Sequence, residues 1–314
     1  MKRMVLFVCI LVSLAMALEA GGRKDTAQTG KINVVATIFP PYDFVREIAG
    51  DRVNLTMLLP PGAESHSFEP TPQDIIKVQN CDIFVYVGGE SDAWVERILE
   101  SMNTDRMEII TLMDCVEVVE ELIVEGMEEE EEEEEAEGPE YDEHVWTSPQ
   151  NAKLIVQKIA GVLKQRDAPN AAAYEQNTAS YLAKLTDLDA SFRNVVNGAK
   201  RKTLIFGDRF PFRYFADAYG LSYFAAFPGC STETECSAAT IAFLVNKVRA
   251  EKIPVVFHIE LSNEKITDTI CEETGAKKLL LHAVHNVSKR DFDQGANYYG
   301  LMSRNVQNLK EALY

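Results

Sequence analysis

Histidine and cysteine, the residues that build most recognisable zinc and redox motifs, are scarce in this sequence. Only 5 histidines and 6 cysteines occur among 314 residues, and they form no HExxH pair and no CxxC pair. The absence of HExxH removes the usual signature of a zinc hydrolase, and the absence of CxxC removes those of zinc fingers and thioredoxin-like proteins. Any metal site must therefore combine residues that are distant in the chain.

Positive charge is also in short supply. The chain has 31 Lys and Arg residues against 49 Asp and Glu residues, which gives a formal net charge of −18. Nucleic acid is excluded as a partner, because phosphate contacts need clustered Lys and Arg. The acidic balance suits a surface that attracts cations, but it equally suits ordinary solubility. The charge alone does not choose between these two interpretations.

Long apolar runs are absent beyond the start of the chain. Two basic residues precede an apolar run at 5–18, and small residues follow it. This layout predicts a signal peptide over residues 1–20 with cleavage after Ala17 or Ala20, and the alternative is an uncleaved membrane anchor. We therefore expect an exported protein, located in the periplasm or on the outer cell surface.

Export makes the state of the cysteines ambiguous, because exported proteins can form disulfides. Five cysteines lie beyond the predicted signal peptide, and this odd number leaves at least one of them unpaired. A disulfide in the second half would link Cys230 either to Cys236 or to Cys271. The alternative is that the cysteines are small buried residues. The sequence does not choose between these states.

Short apolar runs alternate with amphipathic helical segments in two blocks. The predicted strands, all rich in Val, Ile, Leu and Phe, lie at 32–38, 53–59, 82–88, 107–112, 203–207, 221–227, 254–260 and 277–281. The predicted helices lie at 42–49, 72–79, 92–102, 148–165, 237–251, 262–274 and 296–313. Buried strands that alternate with helices indicate parallel sheets covered on both faces.

A long helical pattern separates the two blocks. Apolar residues recur at helical spacing over 170–196 with no Gly or Pro inside, and about 27 helical residues span about 40 Å. We predict an α/β fold of two lobes, each with a mainly parallel sheet flanked by helices, joined by this one long linker helix. The predicted boundaries are 31–166 for an N-terminal metal-binding lobe, 167–199 for the linker helix and 200–314 for a C-terminal metal-binding lobe.

An acidic loop at 125–140 interrupts the first lobe. It contains eight consecutive glutamates at 128–135. Repulsion between like charges predicts a solvated loop without regular structure. The alternative is a low-affinity collector of cations beside a metal site.

Three of the histidines lie where predicted strands and helices join. His66 lies in a loop just after a strand, His144 just before a helix, and His282 at the end of the last apolar strand. Ligands of open α/β sheets collect at the carboxyl ends of strands, so these imidazoles could converge in the cleft between the lobes. Neutral imidazole is a strong zinc ligand, although a single histidine at a strand end more often makes a structural hydrogen bond.

Three segments resemble the zinc and manganese solute-binding proteins of ABC transporters, the cluster A-I group. The segment GAESHSFEPTP at 62–72 resembles the first ligand loop of that family, DEHVWTSP at 142–149 resembles its second ligand motif, and 260–305 follows its final pattern. The resemblance extends over nearly the whole mature chain. It implies a long linker helix, a divalent metal ion as cargo, the membrane permease of an ABC importer as partner, and metal ligands at His66 and His144.

Two departures from the family pattern affect the other ligands. Arg209 stands where the family has a histidine as its third ligand, and a guanidinium cannot coordinate a cation. Asp208 is the nearest replacement, and the alternative is that Arg209 pairs with an acidic neighbour and the ligand is lost. The fourth family ligand is usually an aspartate, and His282 stands at that position. The predicted metal ligands are therefore His66, His144, His282 and Asp208.

The remaining histidines, His258 and His285, are further candidate ligands. His285 follows His282 closely in the chain, and His258 lies on a separate strand. Glu260 shares a strand face with His258, so this pair could support a ligand from behind. The sequence assigns no firm role to any of the three.

The predicted function is high-affinity extracytoplasmic capture of a divalent transition metal and its delivery to an ABC importer. Three imidazoles with one carboxylate or water favour zinc over manganese. The chain is expected to be a monomer and not an enzyme. A manganese-binding homologue and an adhesin or surface interaction protein on the same fold are the alternatives. A zinc hydrolase would need an open metal position and a general base, and no motif supports it.

Overall fold

The computed structural model describes residues 30–127, 140–231 and 235–314. The predicted signal peptide at 1–20 and the glutamate run at 128–135 lie outside the described residues. Residues 32–314 form one compact unit. In the part of the chain that the structure describes, no helix combines the length and the apolar character that a membrane crossing requires.

The first half of the chain builds a four-stranded parallel sheet. Its strands β1 to β4 are Asn33–Ala36, Asn54–Met57, Ile83–Tyr86 and Glu108–Thr111, in the order β2-β1-β3-β4. Parallel neighbours need crossover connections, which helices usually supply. Here the helices are α1 at Phe39–Ala49, α2 at Pro72–Gln79 and α3 at Ala93–Glu100.

Two longer helices follow. Helix α4 is Pro149–Arg166 and begins at Ser148, whose hydroxyl accepts a hydrogen bond from the main-chain N–H of Gln150. Helix α5 is Ala171–Asn197 and contains 27 residues, which corresponds to a length of about 40 Å. It supplies the long connection between the two sheets that the helical pattern of the sequence predicts.

The second half repeats the same strand order. Strands β5 to β8 are Thr203–Arg209, Ser222–Phe227, Val255–His258 and Lys277–Leu280, in the parallel order β6-β5-β7-β8. The helices are α6 at Arg213–Tyr219, α7 at Ala238–Glu251, α8 at Lys265–Thr274, α9 at Lys289–Asp293 and α10 at Tyr298–Leu313. The two sheets therefore share one topology, although the sequence shows no internal repeat beyond the alternation of strands and helices.

The predicted fold class is confirmed, with two parallel-sheet lobes and one long helix between them. All eight predicted strands are present, and the ends of each lie within two residues of their predicted positions. Helices α6 and α9 were not predicted, because segments of seven and five residues are too short to show a helical period. Helix α1 begins three residues earlier than predicted because Pro40 and Pro41 occupy its first turn, where no N–H donor is needed.

One apolar core extends through both lobes. It includes Val34 of the first sheet, Phe206 of the second sheet, and Leu185 and Phe192 of α5, all fully or almost fully buried. A shared core means that a large rotation of one lobe against the other would expose apolar surface. The fold therefore holds the carboxyl ends of the two sheets in a fixed relation to each other.

Candidate metal centre

Three imidazole rings from distant parts of the chain meet in one cluster. The ring centroids of His66 and His144 are 5.5 Å apart, those of His66 and His285 are 5.3 Å apart, and those of His144 and His285 are 4.7 Å apart. One ligand nitrogen from each ring lies within 4.8 Å of the other two. This grouping places the three rings around a common point, where small side-chain adjustments would let one small cation contact all of them.

His66 is presented by the loop that follows β2. Gly62 allows the loop to turn with a φ of +87°, a conformation that residues with a side chain rarely adopt. The side-chain amide of Asn286 donates hydrogen bonds to the carbonyls of Pro60 and Ala63, at 2.8 and 3.0 Å. The loop that carries His66 is thereby fixed to the loop that carries His285.

The ring of His66 is oriented by a serine and a glutamate. Ser91 Oγ lies 2.5 Å from Glu143 Oε1 and donates its proton there, and it lies 2.8 Å from His66 Nδ1. Since the only proton of the Ser91 hydroxyl is used, His66 Nδ1 is the donor to Ser91. The lone pair of the neutral His66 ring is therefore on Nε2.

His144 immediately precedes a short 3-10 helix at Val145–Thr147 and the start of α4. Asp142 Oδ1 accepts hydrogen bonds from the main-chain N–H of His144 at 2.8 Å and from its ring Nδ1 at 3.0 Å. The carboxylate therefore keeps the proton of the neutral ring on Nδ1 and leaves the lone pair on Nε2. Trp146 packs edge-on against the rings of both His144 and His285.

His285 lies in the loop after β8, where Val284 adopts a φ of +68°. Both oxygens of Glu260 accept main-chain hydrogen bonds from this loop, from Ala283 at 2.7 Å and from His285 at 2.8 Å. His285 Nδ1 lies 3.4 Å from Glu260 Oε1. As with the other two rings, the Nδ1 side faces an acceptor and the Nε2 side faces the cluster.

The three Nε2 atoms share an unusual property. Each is buried, and none has a hydrogen-bond partner among the described residues. A buried nitrogen left without a partner costs about 1 to 3 kcal/mol, so three of them in contact is an arrangement that proteins avoid unless something binds there. A cation that accepts their lone pairs removes this cost.

The protonation preferences of the rings differ. Burial lowers the pKa of His66 well below its usual value, and the neighbouring imidazoles act in the same direction. Burial also lowers the pKa of His285. At His144 burial acts in the same direction, but the carboxylates of Asp142, Glu143 and Glu121 outweigh it and raise the pKa. Two of the three rings are thus held neutral, the state that coordinates metal.

Two of the four predicted ligands lie outside this cluster. His282 Nδ1 accepts a hydrogen bond from the main-chain N–H of Val284 at 3.0 Å, so its lone pair is already used. The main-chain N–H of His282 donates to Asn305 Oδ1 at 2.9 Å. His282 thus supports the loop, and His285, which the sequence offered only as a reserve, occupies the place in the cluster.

Asp208 is also engaged elsewhere. Its carboxylate accepts main-chain hydrogen bonds from Arg209 at 2.9 Å and from Ile259 at 3.3 Å. Burial raises the pKa of Asp208. Its role in the structure is to join the ends of β5 and β7, and it is not grouped with the three imidazoles among the described residues.

Arg209 pairs with an acidic neighbour. This pairing is one of the two alternatives that the sequence left open for this position. Its guanidinium lies 3.0 Å from Glu64 Oε2 and also donates to the carbonyl of Ser231 at 3.0 Å. This ion pair connects the loop after β2 with the end of β5. A small pocket lies beside it and is lined by Glu64, Arg209, Glu260 and His285, among others.

Several residues of the site escaped sequence reasoning. Glu143 adjoins His144 in the chain, and that adjacency was the only available signal for it. Ser91 and Cys230 lie in segments that carry no motif. His258 lies apart from the cluster, with Nδ1 against the carbonyl of its neighbour Ile259 at 3.0 Å. Of the pair His258 and Glu260, which the strand pattern suggested as support for a ligand, Glu260 does lie behind His285 and His282, whereas His258 does not.

Neither of the two possible disulfides forms. Both options involved Cys230, and Cys230 is a free thiol. Its sulfur, a carboxylate oxygen of Glu143 and a ring nitrogen of His144 lie within 4.8 Å of one another. Burial and the carboxylates of Glu143, Glu121 and Asp142 raise the pKa of this thiol well above its usual range.

Two parallel-sheet lobes, one long connecting helix and a buried histidine cluster where the lobes meet define the class of helix-linked, metal-binding solute-binding proteins. A family model described as the periplasmic component A of the zinc-uptake complex, ZnuA, matches residues 34–312. The chain belongs to this family. The family supplies the substrate-binding component of metal uptake systems and is not a family of enzymes.

Relatives of similar sequence agree with this assignment. The high-affinity zinc uptake system protein ZnuA of Bacillus subtilis is 32% identical over 313 residues, which cover 98% of this chain and 96% of that protein. The zinc-binding lipoprotein AdcA of Streptococcus pneumoniae is 30% identical over 305 residues, and the chain spans 96% of its own length but 60% of the length of AdcA.

Solved structures show the same fold. The Zn(II)-bound ZnuA-like domain of S. pneumoniae AdcA matches with a TM-score of 0.75 at 29% identity, over 90% of this chain and 99% of that domain. The laminin-binding adhesin Lmb of Streptococcus agalactiae matches with a TM-score of 0.74 at 22% identity, over 90% of this chain and 100% of that one. At that identity the adhesin shows a shared fold and nothing more.

Proposed function

We propose that this chain captures zinc outside the cytoplasm and delivers it to the membrane permease of an ABC importer. The observation that carries the proposal is the trio of buried Nε2 atoms without partners on His66, His144 and His285. Membership of the zinc-uptake family supports it independently. The proposed ligands keep two of the residues predicted from sequence, His66 and His144, and replace His282 by His285.

The donor set favours zinc over manganese. Imidazole nitrogen suits zinc, whereas manganese prefers sites rich in carboxylate and carbonyl oxygen. Each ring is held from behind by a fixed group, Ser91 for His66, Asp142 for His144 and Glu260 for His285. Such support fixes the tautomer and raises the basicity of a ligand, and removing it typically costs 10- to 100-fold in metal affinity, as an order of magnitude.

Binding is expected to tighten the two lobes without a large hinge motion. The ligands come from both halves of the chain, so one ion would bridge them. The continuous core and α5 resist a wide opening. We propose that the permease recognises this tightened form, that the lobes keep the boundaries 31–166 and 200–314 with the linker helix at 167–199, and that the protein acts as a monomer.

Metal titration of the full mature chain tests the proposal. We expect one zinc ion per chain by native mass spectrometry, and a clear preference for zinc over manganese in competition with a chromophoric chelator. Deletion of the gene in its host should impair growth in zinc-depleted medium, and added zinc should restore growth where manganese does not. Failure to bind zinc stoichiometrically, or equal rescue by manganese, contradicts the proposal.

Zinc affinity is expected to fall as the medium is acidified. Protons compete with zinc for each imidazole, and the ring whose pKa is raised above 6.5, His144, protonates first as the pH falls. His66 and His285, whose pKa values are lowered, remain neutral at a lower pH. The apparent affinity should therefore fall as the pH drops through the range where histidine titrates. Affinity that stays constant to about pH 5 would contradict imidazole coordination.

A further inference from the structure

Three imidazoles leave one position of a tetrahedral zinc ion to be filled. Structural zinc sites usually close all four positions with protein ligands. Arg209 stands at the expected third position and cannot coordinate, and the donor atoms of Asp208 and His282 are used in hydrogen bonds to main-chain N–H groups. Neither Asp208 nor His282 is grouped with the three imidazoles, so another side chain beside the cluster is the better candidate for the fourth ligand.

The loop after β6 places a thiol beside the cluster. The Cys230 sulfur lies within 4.8 Å of a ring nitrogen of His144 and of a carboxylate oxygen of Glu143. The main-chain N–H of Cys230 donates to Glu121 Oε1 at 3.0 Å, and the main-chain N–H of Glu121 donates to the carbonyl of Glu140, in the segment that leads to His144. The thiol is thus held against the segment that carries His144.

A glycine is what permits this approach. A Cβ atom added at Gly229 would lie 3.1 Å from His144 Cε1 and 3.0 Å from the carbonyl oxygen of Phe210. Contacts this tight are rare for real side chains, so a larger residue here would push the loop away from His144. Gly229 therefore brings Cys230 to its position beside the imidazole.

The ring of His144 has a nitrogen near the Cys230 sulfur and a nitrogen near the other two imidazoles. Its Nδ1 is bonded to Asp142, so Nε2 is the nitrogen available for a metal. That atom is buried, and it has no hydrogen-bond partner among the described residues. His144 is the member shared by both groups of potential metal ligands, the three imidazoles and the Glu143–His144–Cys230 set.

Glu143 competes with Cys230 for the fourth position but is less available. Its carboxylate accepts hydrogen bonds from the Ser91 hydroxyl at 2.5 Å and from the Ser91 main-chain N–H at 3.1 Å. Coordination by Glu143 would break the link that orients His66. The sulfur of Cys230, in contrast, does not orient another proposed ligand.

We propose that the thiolate of Cys230 is the fourth ligand of the zinc ion held by His66, His144 and His285. This inference rests on the proposed function and extends it. On binding, the S–H bond of Cys230 breaks, a sulfur–zinc bond forms and the proton leaves to solvent. The sulfur is grouped with His144 and not with the other two rings, so Cys230 moves toward them when the ion enters.

A thiolate ligand has a consequence for selectivity. Soft sulfur donors favour zinc and disfavour manganese, which prefers oxygen. A site with three imidazoles and one thiolate would therefore discriminate against manganese more strongly than a site that ends in a carboxylate. This arrangement compensates for the histidine that Arg209 replaces.

Cobalt substitution of the full mature chain, kept reduced, tests the fourth ligand directly. Tetrahedral cobalt(II) bound to a thiolate gives a sulfur-to-metal charge-transfer band in the near ultraviolet. We expect this band in the unmodified chain and in Cys115→Ser, a matched control because Cys115 is also half-buried but belongs to neither ligand group. Cys230→Ser should lose the band and bind zinc roughly 10-fold or more weakly. X-ray absorption of the zinc form should show one sulfur neighbour at about 2.3 Å.

The possible outcomes distinguish a failure of the proposed role of Cys230 from a failure of the proposed zinc capture. Stoichiometric cobalt and zinc binding with no charge-transfer band and no sulfur neighbour overturns the role of Cys230 and leaves zinc capture intact. Cys230→Ser that binds zinc as tightly as the unmodified chain also overturns that role. Absence of stoichiometric metal binding by the unmodified chain overturns the proposed function itself.

Discussion

Replacement of His285 by alanine is expected to weaken zinc binding by more than about 100-fold, whereas the same change at His282 should cost less than about 10-fold. His285 directs a buried Nε2 without a described partner at the cluster. His282 uses its Nδ1 lone pair on the N–H of Val284 and contributes only through the shape of the loop. Loss of a direct ligand exceeds the effect usually seen when a supporting group is removed.

The comparison is informative because the two residues have closely similar surroundings. Both are buried, both lie in the same loop, and both face Glu260, with Nδ1 to carboxylate distances of 3.3 Å for His282 and 3.4 Å for His285. Any general damage to the loop should therefore affect both variants. Competition with a chelator of known affinity gives the two constants, and thermal unfolding of the metal-free proteins checks that both fold. Equal losses, or a larger loss for His282→Ala, would show that the wrong imidazole is placed at the metal.

The fold could be predicted from sequence because its determinants are local. Runs of Val, Ile, Leu and Phe bounded by polar segments define each strand, and the alternation with helical periods defines a parallel sheet. The 27-residue helix α5 was predicted within one residue at each end because no Gly or Pro interrupts its pattern. The two helices that were not predicted, α6 and α9, have only seven and five residues and are too short to show a helical pattern of apolar residues.

The site could be predicted only in part. His66 and His144 lie in segments whose pattern extends over several residues on each side, so their place in the cluster followed from those segments. The choice between His282 and His285 depends on how the chain turns after β8. Strand alternation ends there, and Val284 adopts a left-handed conformation that no sequence pattern signals for a β-branched residue. The turn brings the later histidine into the cluster.

Contacts between distant segments were beyond sequence reasoning altogether. The link from Ser91 to both Glu143 and His66 joins three separate segments of the chain. The approach of Cys230 to His144 depends on packing of the loop after β6. Neither segment contains a recognisable motif. A single serine or cysteine outside a motif does not by itself predict a role in a metal site. Only the folded chain shows that their side chains face the imidazoles.

The second large effect is expected at Gly207, in the middle of β5. A Cβ atom built on this residue would lie 2.5 Å from the Cα and 2.6 Å from the main-chain nitrogen of Thr267. Thr267 is fully buried in the first turns of α8, and its hydroxyl donates to the carbonyl of Gly207 at 2.9 Å. The neighbour that would have to move is therefore helix backbone and not the end of a flexible side chain.

Gly207→Ala should destabilise the fold by at least about 2 kcal/mol, because overpacking a filled interior forces the backbone to shift. A change of this size lowers the melting temperature by several degrees in a protein of this length. Gly161→Ala is the matched control, since Gly161 lies in α4 and the added Cβ would meet no heavy atom within 4 Å apart from its own helix backbone and chain neighbours. Alanine there should raise stability by about 0.5 to 1 kcal/mol.

Thermal and urea unfolding of the metal-free chain measure both variants on the same scale. Metal must be absent, because bound zinc stabilises the folded state by mass action and would mask part of the difference. The two substitutions make the same chemical change, one methyl group on a glycine, so a difference in sign isolates the effect of space around the residue. Two variants with equal stability would mean that α8 does not lie against β5 as closely as the structure places it.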